Sequence, residues 1–440
     1  MKMWIQSRYT VLSALLVVGT AQAQVANVQI TNNGVSPASN TFRSFNDSSL
    51  TRDRDLQNAL DLLEDFYPSI EVSYSRHDNV RRRNDSEEND TKLTIAPSLE
   101  YRNDIGRHSL YLAASALLNR HNTFDQEDSE AINLRGMLSL DVSNRFDLNV
   151  YAGVNNTYEE RGVSGSRTLG SVGQLNNINE LDEGPDEVDI KTIGADLVYG
   201  KGISRFNLVL GFEKNDIDFE NNFQGSTVGP FANRNRESDS IHLDVSYEIG
   251  ARLKAFGRIE NTDIDYDRSS ANLDSELDAY LIGLRYAASS KLNGVVSVGK
   301  QNKDFELASR EDYDGSSYYV NLNYNLRPYS IISLNASKLV EEAGDDNSDY
   351  FVSSLFGVSW SHALSEQLSL GVYYKAINDE FNNAREDDFD DFGLNVDYIW
   401  RRWLTVGLNY GKIKRDSNRS GIPYDEKYIG ITLKSDLRRF

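Results

Sequence analysis

The sequence predicts an all-β protein: a transmembrane antiparallel up-and-down β-barrel of about 18 strands. Three observations carry that prediction. A two-residue hydrophobic alternation returns along the chain towards Phe440, most cleanly in Tyr318-Tyr319-Val320-Asn321-Leu322-Asn323-Tyr324-Asn325-Leu326. Successive strand side chains point to opposite faces, so each such segment has one apolar and one wet face. The connections between these segments alternate between short and long. Past the N-terminus no apolar run approaches the ~20 residues that a membrane-spanning helix needs. Together these features point to a barrel in an outer membrane.

The elements follow in chain order. Lys2 and Arg8, the apolar stretch Val11 to Val18 and Ala21-Gln22-Ala23 read as a secretory signal peptide over 1–23, with a mature start at Gln24. Residues 24–67 lack strand alternation and are expected to form a periplasmic N-terminal segment. Within it, Leu56, Leu60 and Leu63 share one face of a short helix over Asp53 to Phe66, stopped by Pro68. That segment is either a simple tail or an element that docks a periplasmic partner. The barrel is expected over 68–440, its first strand near Ile70.

Short turns fall near Asp104–Gly106, Asn144–Arg145, Lys201–Ser204, Glu248–Ala251, Ser289–Lys291, Arg327–Ser330, Leu364–Gln367 and Arg401–Arg402. Long polar links fall near 81–90, 122–129, 159–186, 220–236, 267–274, 305–314, 344–350, 381–388 and 416–423. Short periplasmic turns and longer external loops are the pattern of outer-membrane barrels. The longest link, Glu159 to Asp186, is glycine-rich and can bend sharply; it is either a gate folded into the lumen or an exposed surface loop.

Outward faces can be assigned strand by strand. Ile241, Leu243, Val245, Tyr247 and Ile249 form one; Val352, Phe356, Val358 and Trp360 another. Phe392, Leu394, Val396, Tyr398 and Trp400 form a third, followed by Leu404, Val406, Leu408 and Tyr410. Tyr and Trp near strand ends suit the headgroup level. Around Ile193 to Tyr199 and Leu277 to Tyr286 both faces contain apolar residues, and the register there is open to a one-residue slip. The last strand, Tyr428 to Leu437, turns Ile429, Ile431, Leu433 and Leu437 outward, with Phe440 out of phase unless a bulge lies near Arg438.

Composition narrows the chemistry. The mean hydropathy of -0.53 looks soluble, but a barrel needs only alternate residues to face lipid. With no cysteine, disulfides, thiolate metal sites and cysteine nucleophiles are excluded. The net charge of -21 argues against a nucleic-acid partner. The histidines lack metal-ligand spacing, so no catalytic residue, metal site or cofactor is assigned. The acidic runs Glu341 to Asp349 and Glu386 to Asp391 have no ordered cation-loop spacing. They read as external surface facing lipopolysaccharide. The lumen candidates are the inward bases Arg135, Arg252, Lys254, Arg258, Arg327, Lys375 and Arg401 and the inward acids Asp244, Glu248 and Asp397. To these are added the aromatics Tyr319 and Tyr373, alongside Tyr111, Tyr151, Phe256 and Tyr428. Mixed walls of this kind either set selectivity or satisfy one another.

Asp78-Asn79-Val80, Pro97 in the second strand, and Gly106-Arg107-His108 leading to Leu110 and Leu112 lie in a segment that resembles the opening hairpins of the putative β-barrel porin 2 family. Over the rest of the barrel the resemblance rests on pattern. It implies an outer-membrane conduit for exopolysaccharide or capsular polysaccharide, working with a periplasmic polysaccharide export protein and without catalytic residues. A terminal aromatic such as Phe440 resembles the signal read by the barrel-assembly machinery. The competing readings are a general or sugar-selective diffusion porin and, third, an outer-membrane lipid-modifying enzyme or adhesin.

Overall fold

A computed structural model describes residues 65–84, 87–159, 161–164, 185, 187–200, 204–219, 234–250, 252–267, 273–287, 291–343 and 348–436. The expected signal peptide, nearly all of the expected N-terminal segment and Phe440 lie outside the described residues. The chain forms strands β1 (Asp65–His77), β2 (Asp90–Ile105), β3 (His108–His121), β4 (Ser129–Asp141), β5 (Phe146–Tyr158), β6 (Glu187–Tyr199), β7 (Phe206–Phe219), β8 (Arg236–Gly250) and β9 (Leu253–Tyr266). It continues with β10 (Ser275–Ala287), β11 (Leu292–Phe305), β12 (Tyr313–Arg327), β13 (Ser330–Glu342), β14 (Tyr350–Ala363), β15 (Leu368–Phe381), β16 (Glu386–Arg401), β17 (Leu404–Ser417) and β18 (Tyr424–Asp436).

Each strand pairs antiparallel with its sequence neighbours, making a single 18-stranded sheet. The β1–β18 ladder, from Ser69↔Asp436 to His77↔Tyr428, closes it. Closure leaves no sheet edge in lipid, where an unsatisfied backbone group would cost several kcal/mol. Against expectation, β1 begins at Asp65. The last residues of the expected helix, Asp65 and Phe66, are therefore strand, and Pro68 lies inside β1.

The alternation is realised as a lipid face and a lumen face. On β8, Ile241, Val245, Tyr247 and Ile249 are exposed while Ser238, Ser240, His242 and Asp244 are buried. The two ambiguous strands resolve the same way. Ile193 and Leu197 face out from β6 with Asp196 inside, and Tyr280, Ile282 and Leu284 face out from β10 with Leu277 and Leu281 inside. On β16 the outward run extends from Phe392 to Trp400. Its eight steps span roughly 27 Å at ~3.4 Å per residue, or about 20 Å along the membrane normal at ~40° tilt. That is close to the ~25 Å apolar band of outer-membrane barrels. An aromatic ring marks the short-turn rim, where Phe66 meets Tyr101 at 4.6 Å and Phe146 meets Tyr199 at 5.1 Å between ring centroids.

Strands of 13 to 16 residues exceed the ~9–11 needed to cross. The excess lies at the long-loop end, where outward positions such as Asp265, Glu276, Asp304 and Asp388 are charged.

Candidate functional site

The inner wall is polar and internally paired. On β12 and its neighbours an amide ladder runs along the wall: Asn321 donates to Asn335 at 2.8 Å, Ser333 to Asn323 at 2.7 Å. On the β7–β10 side Arg258 lies 3.0 Å from Glu260 and 3.6 Å from Asp244. His242 sits 3.6 Å from Asp196. Tyr151 donates to Glu213 at 3.0 Å. Such pairing lowers the net field of the wall, because each fixed charge has its opposite within a few ångströms.

The β15–β1 side carries a more particular arrangement. Gly393 of β16 and Gly411 of β17 are directly paired. A Cβ at Gly393 would fall on the Tyr373 ring, and one at Gly411 on the Tyr428 ring. Two bare backbones thus let tyrosines from flanking strands lie flat against the wall, and the two side chains hydrogen-bond to each other. Tyr373 donates to Asp391 at 3.1 Å, and Asp391 holds Lys375 at 3.3 Å. His77 stacks on Tyr428 at 5.3 Å and is bound to Glu426 at 2.6 Å. The result is an aromatic shelf three side chains wide, bordered by carboxylates and an ammonium group. On the other wall Tyr151 lies over Gly194 and Phe256 over Gly283 in the same way.

Above this level the long-loop mouth is crossed from two sides. The described foot of the β5–β6 loop turns inward: Glu159, Arg161, Val163 and Ser164 are all buried. Glu159 makes a two-point pair with Arg234 at 2.7 and 2.8 Å. Arg161 binds Glu127 at 2.6 Å, and its carbonyl accepts from Arg82 at 2.7 Å. Arg82 in turn holds Glu426 at 2.7 Å. Ser164 reaches Asp387 at 3.3 Å, whose Oδ2 also takes Arg385 and Arg415 at 2.9 and 2.7 Å. Gly162, at φ +71, places its Cα where a Cβ would come within 2.6 Å of the Tyr424 ring. The rest of the 159–186 loop lies outside the described residues, apart from Pro185. From the opposite side the arms of the β13–β14 hairpin enter the barrel: Glu342 pairs with Lys303 and accepts from Tyr266 at 2.8 Å.

Of the ten charged candidates and the two tyrosines Tyr319 and Tyr373, nine lie along the inner wall. Arg135 donates to Tyr111 at 2.9 Å, Lys254 lies 3.6 Å from Glu248, and Asp397 accepts from Asn395 at 2.8 Å. Tyr319 packs against Phe256 and Val295. Arg258, Asp244, Lys375 and Tyr373 sit in the clusters already described. Arg252, Arg327 and Arg401 depart from expectation, being exposed at the short turns. Register shifts between Glu248 and Gly250, Asn325 and Arg327, and Ile399 and Arg401 explain this, since a bulge breaks the two-residue period at the strand end.

Three further expectations are corrected. The run Glu341 to Asp349 is not exposed surface at its described ends, because Glu341, Glu342, Ser348 and Asp349 are buried. The run Glu386 to Asp391 is strand, alternating exposed Glu386, Asp388 and Asp390 with inward Asp387 and Asp391. Val352, expected on the lipid face, is buried with the infolded hairpin. The mouth residues Arg82, Glu127, Arg161, Asp387, Arg415 and Glu426 were missed, although alternation alone places Asp387, Arg415 and Glu426 inward. Among the described residues no group of His, Asp and Glu is arranged to hold a metal ion.

A closed barrel with a lipid-facing apolar belt and a polar interior defines an outer-membrane, porin-like β-barrel. The chain belongs to the family described as "Putative beta-barrel porin 2", whose profile matches residues 66–437. No curated protein matches. Solved structures with similar architecture include OpdO of Pseudomonas aeruginosa at 12% identity and TM-score 0.46, covering 85% of this chain and 98% of that one. Others are a ferric enterobactin receptor (PfeA) mutant of the same organism, at 7%, 0.44, 85% and 80%, and a bacterial polysaccharide outer membrane secretin, at 10%, 0.33, 84% and 98%. These are distant likenesses among barrels.

Proposed function

We propose that this protein is an outer-membrane conduit through which an exopolysaccharide or capsular polysaccharide leaves the cell. The observation that carries the reading is the Tyr373–Tyr428–His77 shelf, with Asp391, Lys375 and Glu426 along its border. A pyranose ring has an apolar face and a rim of hydroxyls. A flat aromatic surface edged by hydrogen-bonding groups accepts that shape repeatedly without locking it, as a moving polymer requires. The paired charges elsewhere on the wall leave few strong local fields to trap a passing chain.

Transport on this reading is passive, with no covalent step, and the driving force comes from synthesis or translocation on the inner side. A periplasmic export protein delivers the polymer to the short-turn rim. The experiment is deletion of the gene with measurement of extracellular polysaccharide, combined with planar-bilayer recordings of the purified protein. Lost secretion, oligosaccharide block of the current, and weaker block in Tyr373→Ala support the conduit. Unchanged secretion with an unblocked current makes the protein a diffusion porin for small solutes instead.

A further inference from the structure

The ladder between β12 and β13 stops before either strand does. It runs from Arg327↔Ser330 up to Tyr318↔Lys338. Above that pair, residues 313–317 ladder with β11 alone, and residues 339–342 with β14 alone. The wall therefore has an open seam at its long-loop end. The β13 arm has left the wall and turned inward, and its faces show it. Ile332 and Leu334 pair with Trp360 and Val358, so even positions of β13 belong to the lipid side. Continued alternation would put Val340 and Glu342 on that outer face, yet they are 1% and 4% exposed. They lie against the inner wall of β11 and β9: the Val340 amide donates to the Gln301 side chain at 3.2 Å, and Glu342 meets Lys303 and Tyr266. Val340, Tyr350 and Val352 pack there with Ile264, Leu277 and Phe305.

We infer that the arms of the β13–β14 hairpin are a gate with two seats. In the seat seen here these arms lie in the lumen against β9–β11. In the other it zips onto β12 and the lumen clears. The register of the second seat is fixed by the ladder below it, which continues as Ser317 to Leu339, Ser316 to Val340, Gly315 to Glu341 and Asp314 to Glu342. Parity agrees, since Asp314 and Ser316 already face outward. The two seats oppose different terms. Zipping completes backbone hydrogen bonds along both strand edges. It also removes Lys303 from its carboxylate, uncovers the apolar inner cluster, and sets Glu342 directly across from Asp314, a like-charge pair that disfavours the ladder. The inward seat is thus the resting one, and the gate needs an aqueous pore but no particular cargo.

The chain has no cysteine, so engineered pairs report without background. In the zipped ladder, Asp314→Cys and Glu342→Cys have Cα atoms about 4.5–5.5 Å apart, within disulfide reach. In the inward seat Glu342 is held off the β12 ladder by Lys303 of β11 and Tyr266 of β9. Mild oxidation of the double variant should close the disulfide and raise small-ion conductance about twofold or more, reversibly with reductant. Glu342→Cys alone should show no redox dependence. Ser316→Cys/Val340→Cys, which keeps the Glu342–Lys303 pair, should respond in the same way if the first variant folds poorly. Folded barrels whose cysteines fail to cross-link, or that cross-link with unchanged conductance, would overturn the gate. Because the reading uses small ions, it stands or falls separately from polysaccharide export.

Discussion

Asp387→Asn isolates a fully buried electrostatic knot of the mouth. Asp387 is 0% exposed, as is Arg415, and Arg385 is 1% exposed. One carboxylate oxygen takes Arg385 at 2.9 Å and Arg415 at 2.7 Å, so the two guanidinium groups approach within about 5 Å of each other. With the carboxylate neutralised, two cations at ~5 Å repel by about 3 kcal/mol at an effective dielectric of ~20. Weakened charge-assisted hydrogen bonds add to that, giving a total of ~3–5 kcal/mol, the usual range for breaking a buried ion pair. The assay is equilibrium urea unfolding in detergent micelles, followed by tryptophan fluorescence. Asp387→Asn/Arg415→Gln should recover more than half of the loss, since removing one cation relieves the repulsion. A loss below ~1 kcal/mol, or strictly additive single variants, would refute the claim that these three side chains form one unit.

Other consequences can be measured independently. Gly393→Ala drives a methyl into the Tyr373 ring and should destabilise the barrel by ~1–3 kcal/mol, a penalty that shrinks to under ~0.5 kcal/mol in a Tyr373→Ala background; an equal penalty in both backgrounds would contradict the flat-ring packing. Gly162→Ala combines a strained left-handed backbone with a clash against Tyr424. It should loosen the loop foot and increase baseline conductance, and an unaltered current would show that the foot does not narrow the mouth. For the face assignment, Ile282→Arg on the lipid side should cost ~2–4 kcal/mol, whereas Asn321→Arg on the lumen side should cost less than ~1 kcal/mol. Spin labels at Val320 and Asn321 should report lipid and water respectively, and identical environments would sink the two-faced wall.

The strand order and most facing assignments are legible in the sequence. Phe392 to Trp400 and Ile241 to Ile249 announce their outer faces because lipid tolerates only one kind of side chain there, so the period is enforced. The short turns were readable to within a residue or two: those expected near Asp104–Gly106 and Arg401–Arg402 fall between Ile105 and His108 and between Arg401 and Leu404. Legibility failed where that constraint lapses. The interior accepts Leu277, Lys303 and Asp387 alike, so periodicity says which way a side chain points and nothing of what it meets. Bulges near Arg252, Arg327 and Arg401 carry no sequence signal of their own.

Local period and the single demand of a lipid surface are enough to dictate a closed, two-faced wall, sequential antiparallel pairing and two unlike ends. What fills that wall depends on contacts that form only when the cylinder closes. His77 meets Glu426, Arg161 meets Glu127 and Glu342 meets Lys303 across long stretches of chain. Closure of the cylinder brings such groups together, and their burial makes pairing obligatory. An acidic run that reads as solvent-facing can then sit inside, because a lysine and a tyrosine from distant strands are waiting there.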